Sequence, residues 1–460
     1  MKETTFHTRN WVCLVFGAIM LILLLTAQMS TFVKAEANPI KHVIVIIQEN
    51  HTFDNYFGTY PGANGLNSTI ALPTAPNSSD LVSPFHLSSA APPIDLPHYR
   101  GAALEAYNNG KMDGFVYAEQ SNLTMGYFDH REIPYYWDYA SQFVLADNFF
   151  TSVMGPSLPN HIYLFAGQSG GVVENIDNVT LNFPCIMDEL DKKGISWKYY
   201  GVNNIFHSAN PLPAFESFRK NQSRFANCLP TNKFFSDISE GKLADVVWIR
   251  NESFSEHPPQ NITKGQNFVV SLVNSVMESP YWSSTAILIT WDDYGGWYDH
   301  VTPPQVDQAG YGFRVPLLII SPYAKTGIID HTLNDLTSIL KFIETTFSLK
   351  PLATADEKAN NLMEAFDFSQ PPREPLVLPG QYVPDSYPLR LQSDENDALS
   401  WLSKAQYVLL GIVIILVISL LVGTYIKKRK KHAKLSALGD YPHLDRMLAQ
   451  PEFEHEGNVL

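Results

Sequence analysis

The stretch "HVIVIIQENHTFDNYFG" at residues 42–58 decides how the rest of the chain is read. Near-continuous Val/Ile runs suit a parallel strand covered on both faces. This one stops abruptly at Glu49, Asn50 and His51, and the carboxyl ends of strands are where open α/β sheets bind ligands. The polar triplet is therefore either half of a cation site or an ordinary turn. Four further apolar runs behave alike: "FVLADNFF" (143–150), "ADVVWIR" (244–250), "TAILITW" (285–291) and "VPLLIIS" (315–321). Amphipathic stretches alternate with them. In "NDLTSILKFIETTF" (334–347), Leu336, Ile339, Leu340 and Ile343 share one face of a helix. The expected class is α/β, with a central, mostly parallel sheet covered by helices.

Both ends of the 460-residue chain lie outside that pattern. Residues 1–37 carry Lys2 and Arg9, an apolar run from Trp11 to Ala27, and then small residues. That is the layout of a signal peptide, with an uncleaved anchor as the alternative. "AQYVLLGIVIILVISLLVGTYI" (405–426) has no charge and is followed by "KKRKKHAK". It reads as a C-terminal transmembrane helix with a cytoplasmic tail at 427–460 and everything before 405 outside. Residues 369–404 are rich in proline and polar residues and read as a stalk, which leaves 38–368 as one large domain. The expected location is thus the cell membrane, single-pass, with the domain extracellular. The Asn-x-Ser/Thr sequons at Asn67, Asn77, Asn122, Asn178, Asn221, Asn251 and Asn261, all before the span, are compatible with a glycoprotein. Cys185 and Cys228 remain after the leader and are expected to pair as a disulfide bond. The formal net charge is −14, and setting aside the basic tail leaves the outer part more acidic still. Such a surface does not draw in nucleic acid. The oligomeric state is left open.

Chemistry collects behind the strands. Asp292 and Asp293 follow "TAILITW"; adjacent carboxylates repel unless a cation or hydrogen bonds compensate. Glu, Asn and Asp oxygens form a hard ligand set, suited to Ca, Mg or Mn and compatible with Zn. An acidic turn bent by Gly295-Gly296 is the plainer reading. In "GPSLPNHIYLFAG" (155–167), Pro159 suits the first turn of a helix and Gly167 its end. Ser157 then stands at the N-terminus, where free N–H groups favour anions. It is either a nucleophile or an N-cap. His98, His257 and His300 are candidates for proton transfer or phosphoryl binding. Trp297, with Tyr294 and Tyr298, could cradle a quaternary ammonium group.

Five blocks, "VIIQENHTFDNYFG", "NNGKMDGF", "LADNFFTSVMGPSLPNH", "SEHPP" and "WDDYGGWYDHVTPP", occur in that order. Together they resemble the bacterial phospholipase C and acid phosphatase family, and "FDFSQPPREP" (366–375) resembles its end. The resemblance implies an alkaline-phosphatase-like fold and one divalent metal ion held by Glu49, Asn50, Asp292 and Asp293. It implies Ser157 as nucleophile and His98 and His257 beside the phosphoryl group. His161 falls where members vary between His and Arg; with Lys111, His300 and Trp297 it is a candidate for substrate binding.

The expected function is that of an extracytoplasmic, membrane-anchored hydrolase of phosphoric esters. It would be of phospholipase C type, working through a phosphoserine and taking a phosphate ester or phospholipid as substrate. Two alternatives stand beside it. One is an acid phosphatase acting on monoesters; the other is an inactive surface adhesion protein.

Overall fold

A computed structural model describes residues 38–201, 206, 208–307 and 310–380. Contacts divide the chain after Tyr387, and every described residue lies before that division. The expected leader (1–37), membrane span (405–426) and tail (427–460) lie outside the described residues. Among the described residues no helix is long and apolar enough to cross a membrane.

Eight strands form one sheet. In chain order they are β1 (His42–Gln48), β2 (Val144–Ala146), β3 (Trp197–Tyr200), β4 (Cys228–Leu229), β5 (Val246–Ile249), β6 (Thr285–Trp291), β7 (Leu317–Ile320) and β8 (Ile328–Asp330). Their spatial order is β8-β2-β7-β6-β1-β5-β3-β4. β1 pairs in parallel with both β5 and β6, β3 with β5 and β4, and β8 with β2. Only β7 runs against its neighbours, β6 and β2. The expected α/β class with a mostly parallel central sheet is what the chain adopts. Two antiparallel pairings in a row restore the direction, so β2, β6, β1 and β5 end on the same edge of the sheet.

The sequence explains the strands' position. Val43 to Ile47 in β1, and every residue of β6, are buried; each such Val, Ile or Leu contributes roughly 1.5–3 kcal/mol by leaving water. Five helices matter for the site and its support: α1 (Phe53–Phe57), α2 (Pro134–Gln142), α3 (Ser157–Ala166), α4 (Ile262–Met277) and α5 (Leu336–Phe347). α5 buries the expected Leu336, Ile339, Leu340 and Ile343, and Asp335 caps it by accepting from Thr337 N–H. α3 packs on α5 and ends at Gly167, whose φ of +65° closes the helix in the left-handed conformation.

Two features differ from the expectations. Residues 369–380, read as the start of a stalk, lie against the domain. Asn274 of α4 exchanges hydrogen bonds with the backbone of Leu378, and Trp282 Nε1 donates to the Arg373 carbonyl. The Arg373 guanidinium lies 4.6 Å from the centroid of the Phe143 ring. The remainder of that segment, 381–404, lies outside the described residues. The expected Cys185–Cys228 disulfide is absent and both thiols are free. Cys185 is buried at the start of the helix Ile186–Lys193, whereas Cys228 sits in β4 with its sulfur 3.9 Å from the Arg224 carbonyl. Arg224 in turn is held by Asp188 and Asp191 of that helix. An even cysteine count says nothing about whether two sulfurs meet.

Candidate active site at the strand ends

Glu49 leaves β1 and Asp292 leaves β6, and the two strands pair in register from His42–Thr285 to Gln48–Trp291. The register alone therefore brings Glu49-Asn50 opposite Asp292-Asp293. Asn50 turns into the left-handed region (φ +63°), which Asn tolerates. Its N–H faces Asp292 Oδ1 at 3.3 Å, and the Asp292 N–H donates to the Gln48 carbonyl at 3.1 Å. Gly295 completes the joint: at φ +59°, a Cβ there would stand 2.2 Å from the Asn50 carbonyl oxygen.

Ser157 is the first residue of α3, and its Oγ donates to Asp293 Oδ2 at 2.9 Å. One turn later His161 lies on the same face, fully buried, with Nε2 3.2 Å from Asp292 Oδ2. Asn160 fixes the approach to the helix, accepting from Val153 N–H and donating to the Pro156 carbonyl. Ligand atoms of Glu49, His161 and Asp292 all lie within 4.8 Å of one another.

The electrostatics of this cluster suit a cation. Burial and the charge of Asp292 push Asp293 well above the usual carboxylate range. Burial acts to raise Asp292 too, but His161, Ser157 and Arg250 outweigh it and hold it low. The two carboxylates cannot both ionise comfortably without added positive charge. Among the described residues Asn50 Oδ1 and His161 Nδ1 are buried with no hydrogen-bond partner, and His161 Nε2 and Asp292 Oδ2, 3.2 Å apart, lack hydrogen-bond alignment; such groups carry a real free-energy cost unless something binds them. Oxygen donors with one imidazole fit a divalent metal. The residues present thus fit the expected ion, and His161, a candidate for substrate binding by sequence, stands in the cluster with Glu49 and Asp292.

A cavity of 280 Å³ opens beside Ser157, lined among others by Glu49, His98, Asn175, Arg250 and His257. His98 Nδ1–H donates to the Leu96 carbonyl at 2.7 Å, so in the neutral ring Nε2 accepts from Asn50 Nδ2 at 3.2 Å. That contact fixes which way the Asn50 amide points and leaves its buried oxygen open as an acceptor among the described residues. His257 stands 5.7 Å from His98, ring to ring, and its Nδ1 meets the Pro258 carbonyl at 2.8 Å, leaving Nε2 uncommitted.

Three expected residues are elsewhere. Trp297 is fully buried, stacked on His51, and Tyr294 and Tyr298 pack in a small satellite core, so these three form no aromatic cradle at the cavity. His300 Nδ1 meets Asp54 at 2.6 Å within the pairing of Arg314 to Asp54 and Asp299. Arg314 uses its guanidinium on those carboxylates and on the carbonyls of Asn64 and Asp147, which makes the cluster structural. Lys111 stands exposed on a turn tied to Thr302 through Gly110.

Two residues escaped the sequence reading. Arg250, after β5, pairs with Glu49 through Nε at 2.6 Å and through Nη2. Glu256, buried in the "SEHPP" block, accepts from Gln48 Nε2, Tyr136 Oη, Tyr56 Oη and Trp291 Nε1. That carboxylate anchors the loop carrying His257. The apolar run ending in Arg250 was a usable signal, since it is the same pattern that exposed Glu49; Glu256 left none.

The profile described as Phosphoesterase family matches residues 40–350. The non-hemolytic phospholipase C of Pseudomonas aeruginosa is 27% identical over 405 residues, covering 73% of this chain and 58% of that protein. Phospholipase C A of Mycobacterium tuberculosis is 28% identical over 407 residues, 72% of this chain and 78% of that one. Non-specific phospholipase C1 of Arabidopsis thaliana is 28% identical over 406 residues, 74% of each. The chain therefore spans little more than half the length of the Pseudomonas relative. Among solved structures, a protein of the alkaline phosphatase superfamily from Vibrio parahaemolyticus aligns with a TM-score of 0.37 at 9% identity, over 70% of this chain and 69% of that one.

Proposed function

The chain belongs to the phosphoesterase family, whose members hydrolyse phosphoric ester bonds, and we propose from this that it is a metal-dependent phosphoesterase of phospholipase C type. The observation that carries the reading is the Ser157 hydroxyl on the first turn of α3, 2.9 Å from Asp293 and facing a cavity shared with His98 and His257. A divalent ion held by Glu49, Asn50, Asp292, Asp293 and His161 would supply Lewis-acid stabilisation of charge on the phosphoryl oxygens.

The chain's own residues do the rest. Ser157 Oγ attacks phosphorus and gives its proton to Asp293, forming the Oγ–P bond of a phosphoserine. The ester P–O bond breaks, and the His257 imidazolium, its Nδ1–H on the Pro258 carbonyl, gives its Nε2 proton to the departing alcohol. Water then gives a proton to His257 Nε2 and attacks phosphorus, the Oγ–P bond breaks, and Asp293 returns its proton to Ser157 Oγ as phosphate or a phosphorylated headgroup leaves. Phospholipids are the proposed substrates, by likeness to the relatives named phospholipase C. The proposed location is the membrane, anchored by 405–426 with the domain outside, on the strength of the apolar run and its basic flank.

The test is turnover of phosphatidylcholine, p-nitrophenylphosphorylcholine and p-nitrophenyl phosphate, with and without chelator. Chelator-sensitive hydrolysis of the diesters, lost by several orders of magnitude in Ser157→Ala, is expected. Hydrolysis of the monoester alone would replace the lipase reading with a phosphatase, and more than a few per cent residual activity in the variant would remove the phosphoserine.

A further inference from the structure

Arg250 is 5% exposed, and its guanidinium is only partly used. Nε and Nη2 serve Glu49, while Nη1 is buried without a hydrogen-bond partner among the described residues. Glu252 Oε1 lies 3.5 Å from Nη1 without hydrogen-bond alignment, on a side chain that is 62% exposed. A buried N–H donor left open is costly, and guanidinium carries its five donors in a rigid fork that matches phosphoryl oxygens. Arg250 lines the same cavity as Ser157, His98 and His257, and among the described residues no other Lys or Arg lines it. In a chain of net charge −14, that makes it the fixed positive charge, among the described residues, that a tetrahedral anion in the cavity would meet.

We infer that Arg250 is a phosphoryl-binding residue: its Nη1 donates to a non-bridging oxygen of a tetrahedral phosphoryl group held over Ser157, while Nε and Nη2 keep Glu49 neutralised. The inference rests on the phosphoesterase reading for the identity of the anion, and the same contact serves a bound ester and free phosphate. The pairing with Glu49 sets the fork, so the guanidinium is pre-organised and loses little freedom when the anion arrives.

The test uses the whole chain and inorganic phosphate as probe. Phosphate affinity is measured by titration calorimetry and by inhibition of turnover, and bound divalent metal is measured on the same preparations. Arg250→Gln should weaken phosphate binding at least tenfold and raise KM for p-nitrophenylphosphorylcholine in step, with metal content at the wild-type level. Arg250→Lys, which keeps the charge but not the fork, should fall between the two and serves as the readout where the Gln variant fails to fold. Unchanged phosphate affinity in a folded, metal-loaded variant would overturn the inference. Loss of metal together with phosphate would also overturn it, since Arg250 would then act only through Glu49. Phosphate binding by a wild-type chain that turns over no ester would refute the proposed function and leave this contact standing.

Discussion

Glu256 offers the sharpest test of how the site is held together. Its carboxylate is fully buried and receives four donors: Tyr136 Oη at 2.6 Å and Gln48 Nε2 at 3.0 Å on one oxygen, Tyr56 Oη at 2.8 Å and Trp291 Nε1 at 3.1 Å on the other. Glu256→Ala would strand four buried donors at roughly 1–3 kcal/mol each, about the whole stability of an ordinary domain. That variant should not accumulate as folded protein. Glu256→Gln keeps the shape. Hydroxyls can turn to accept, indole cannot, so the amide nitrogen will take the side of Tyr136 and Gln48, whose Nε2 also donates to the Phe254 carbonyl at 2.9 Å. The loss should be about 1 kcal/mol.

The pH profile gives an independent sign. Burial pushes the Glu256 carboxyl from 4.5 up to about 7. An acid with a raised folded-state pKa contributes stability that is complete below its unfolded value and is lost as pH rises through the folded one. The wild type should therefore lose roughly 2–3 kcal/mol between pH 5 and pH 8 through this group, and the Gln variant should not. Urea unfolding of both proteins across that range should show curves that cross, with the wild type the more stable at pH 5 and the variant at pH 8. Parallel curves, or an Ala variant as stable as wild type, would refute the reasoning.

Other consequences are as specific. Asp292→Ala should lower bound divalent metal tenfold or more, measured by elemental analysis after dialysis, because it removes a charged donor from the Glu49–His161–Asp292 cluster. Gly295→Ala should cut kcat/KM by at least tenfold at nearly full folded yield, since a Cβ would press on the Asn50 carbonyl and shift the site; wild-type kinetics would show that the joint yields. Cys185 and Cys228, each pushed up to about 12 by burial, should titrate as two free thiols in denaturant and react slowly in the native protein at pH 8. A mass two units lower before reduction would instead restore the disulfide.

The sheet and the oxygen quartet were legible because both depend on local pattern. A buried parallel strand must be apolar throughout, and a polar break at its end is visible in "HVIVIIQEN" and "TAILITWDD" alike. Pairing β1 with β6 then did the rest. Side-chain direction was not legible. Trp297 and His300 sit in the same block as Asp292, yet the turn at Gly295-Gly296 sends them into packing and into the Arg314 cluster. His161 stood in sequence as a candidate for substrate binding; the helix places it one turn after Ser157, facing Asp292. Glu256 announces nothing in sequence, since its four partners come from positions 48, 56, 136 and 291.

The joint between β1 and β6 bears on how such a chain diverges. The Asn50 carbonyl occupies the space a side chain at 295 would need, the Asn50 N–H faces Asp292, and the Asp292 N–H holds Gln48. Substitutions at 50, 292 and 295 are therefore epistatic: the effect of any one depends on the residues at the other two, and a double-mutant cycle between Asn50 and Gly295 should be strongly non-additive. These two strand ends should change only as a pair. A chimera that takes one strand end from a relative differing at 48–50 or 292–295 and keeps the other is expected to inherit a mismatched turn.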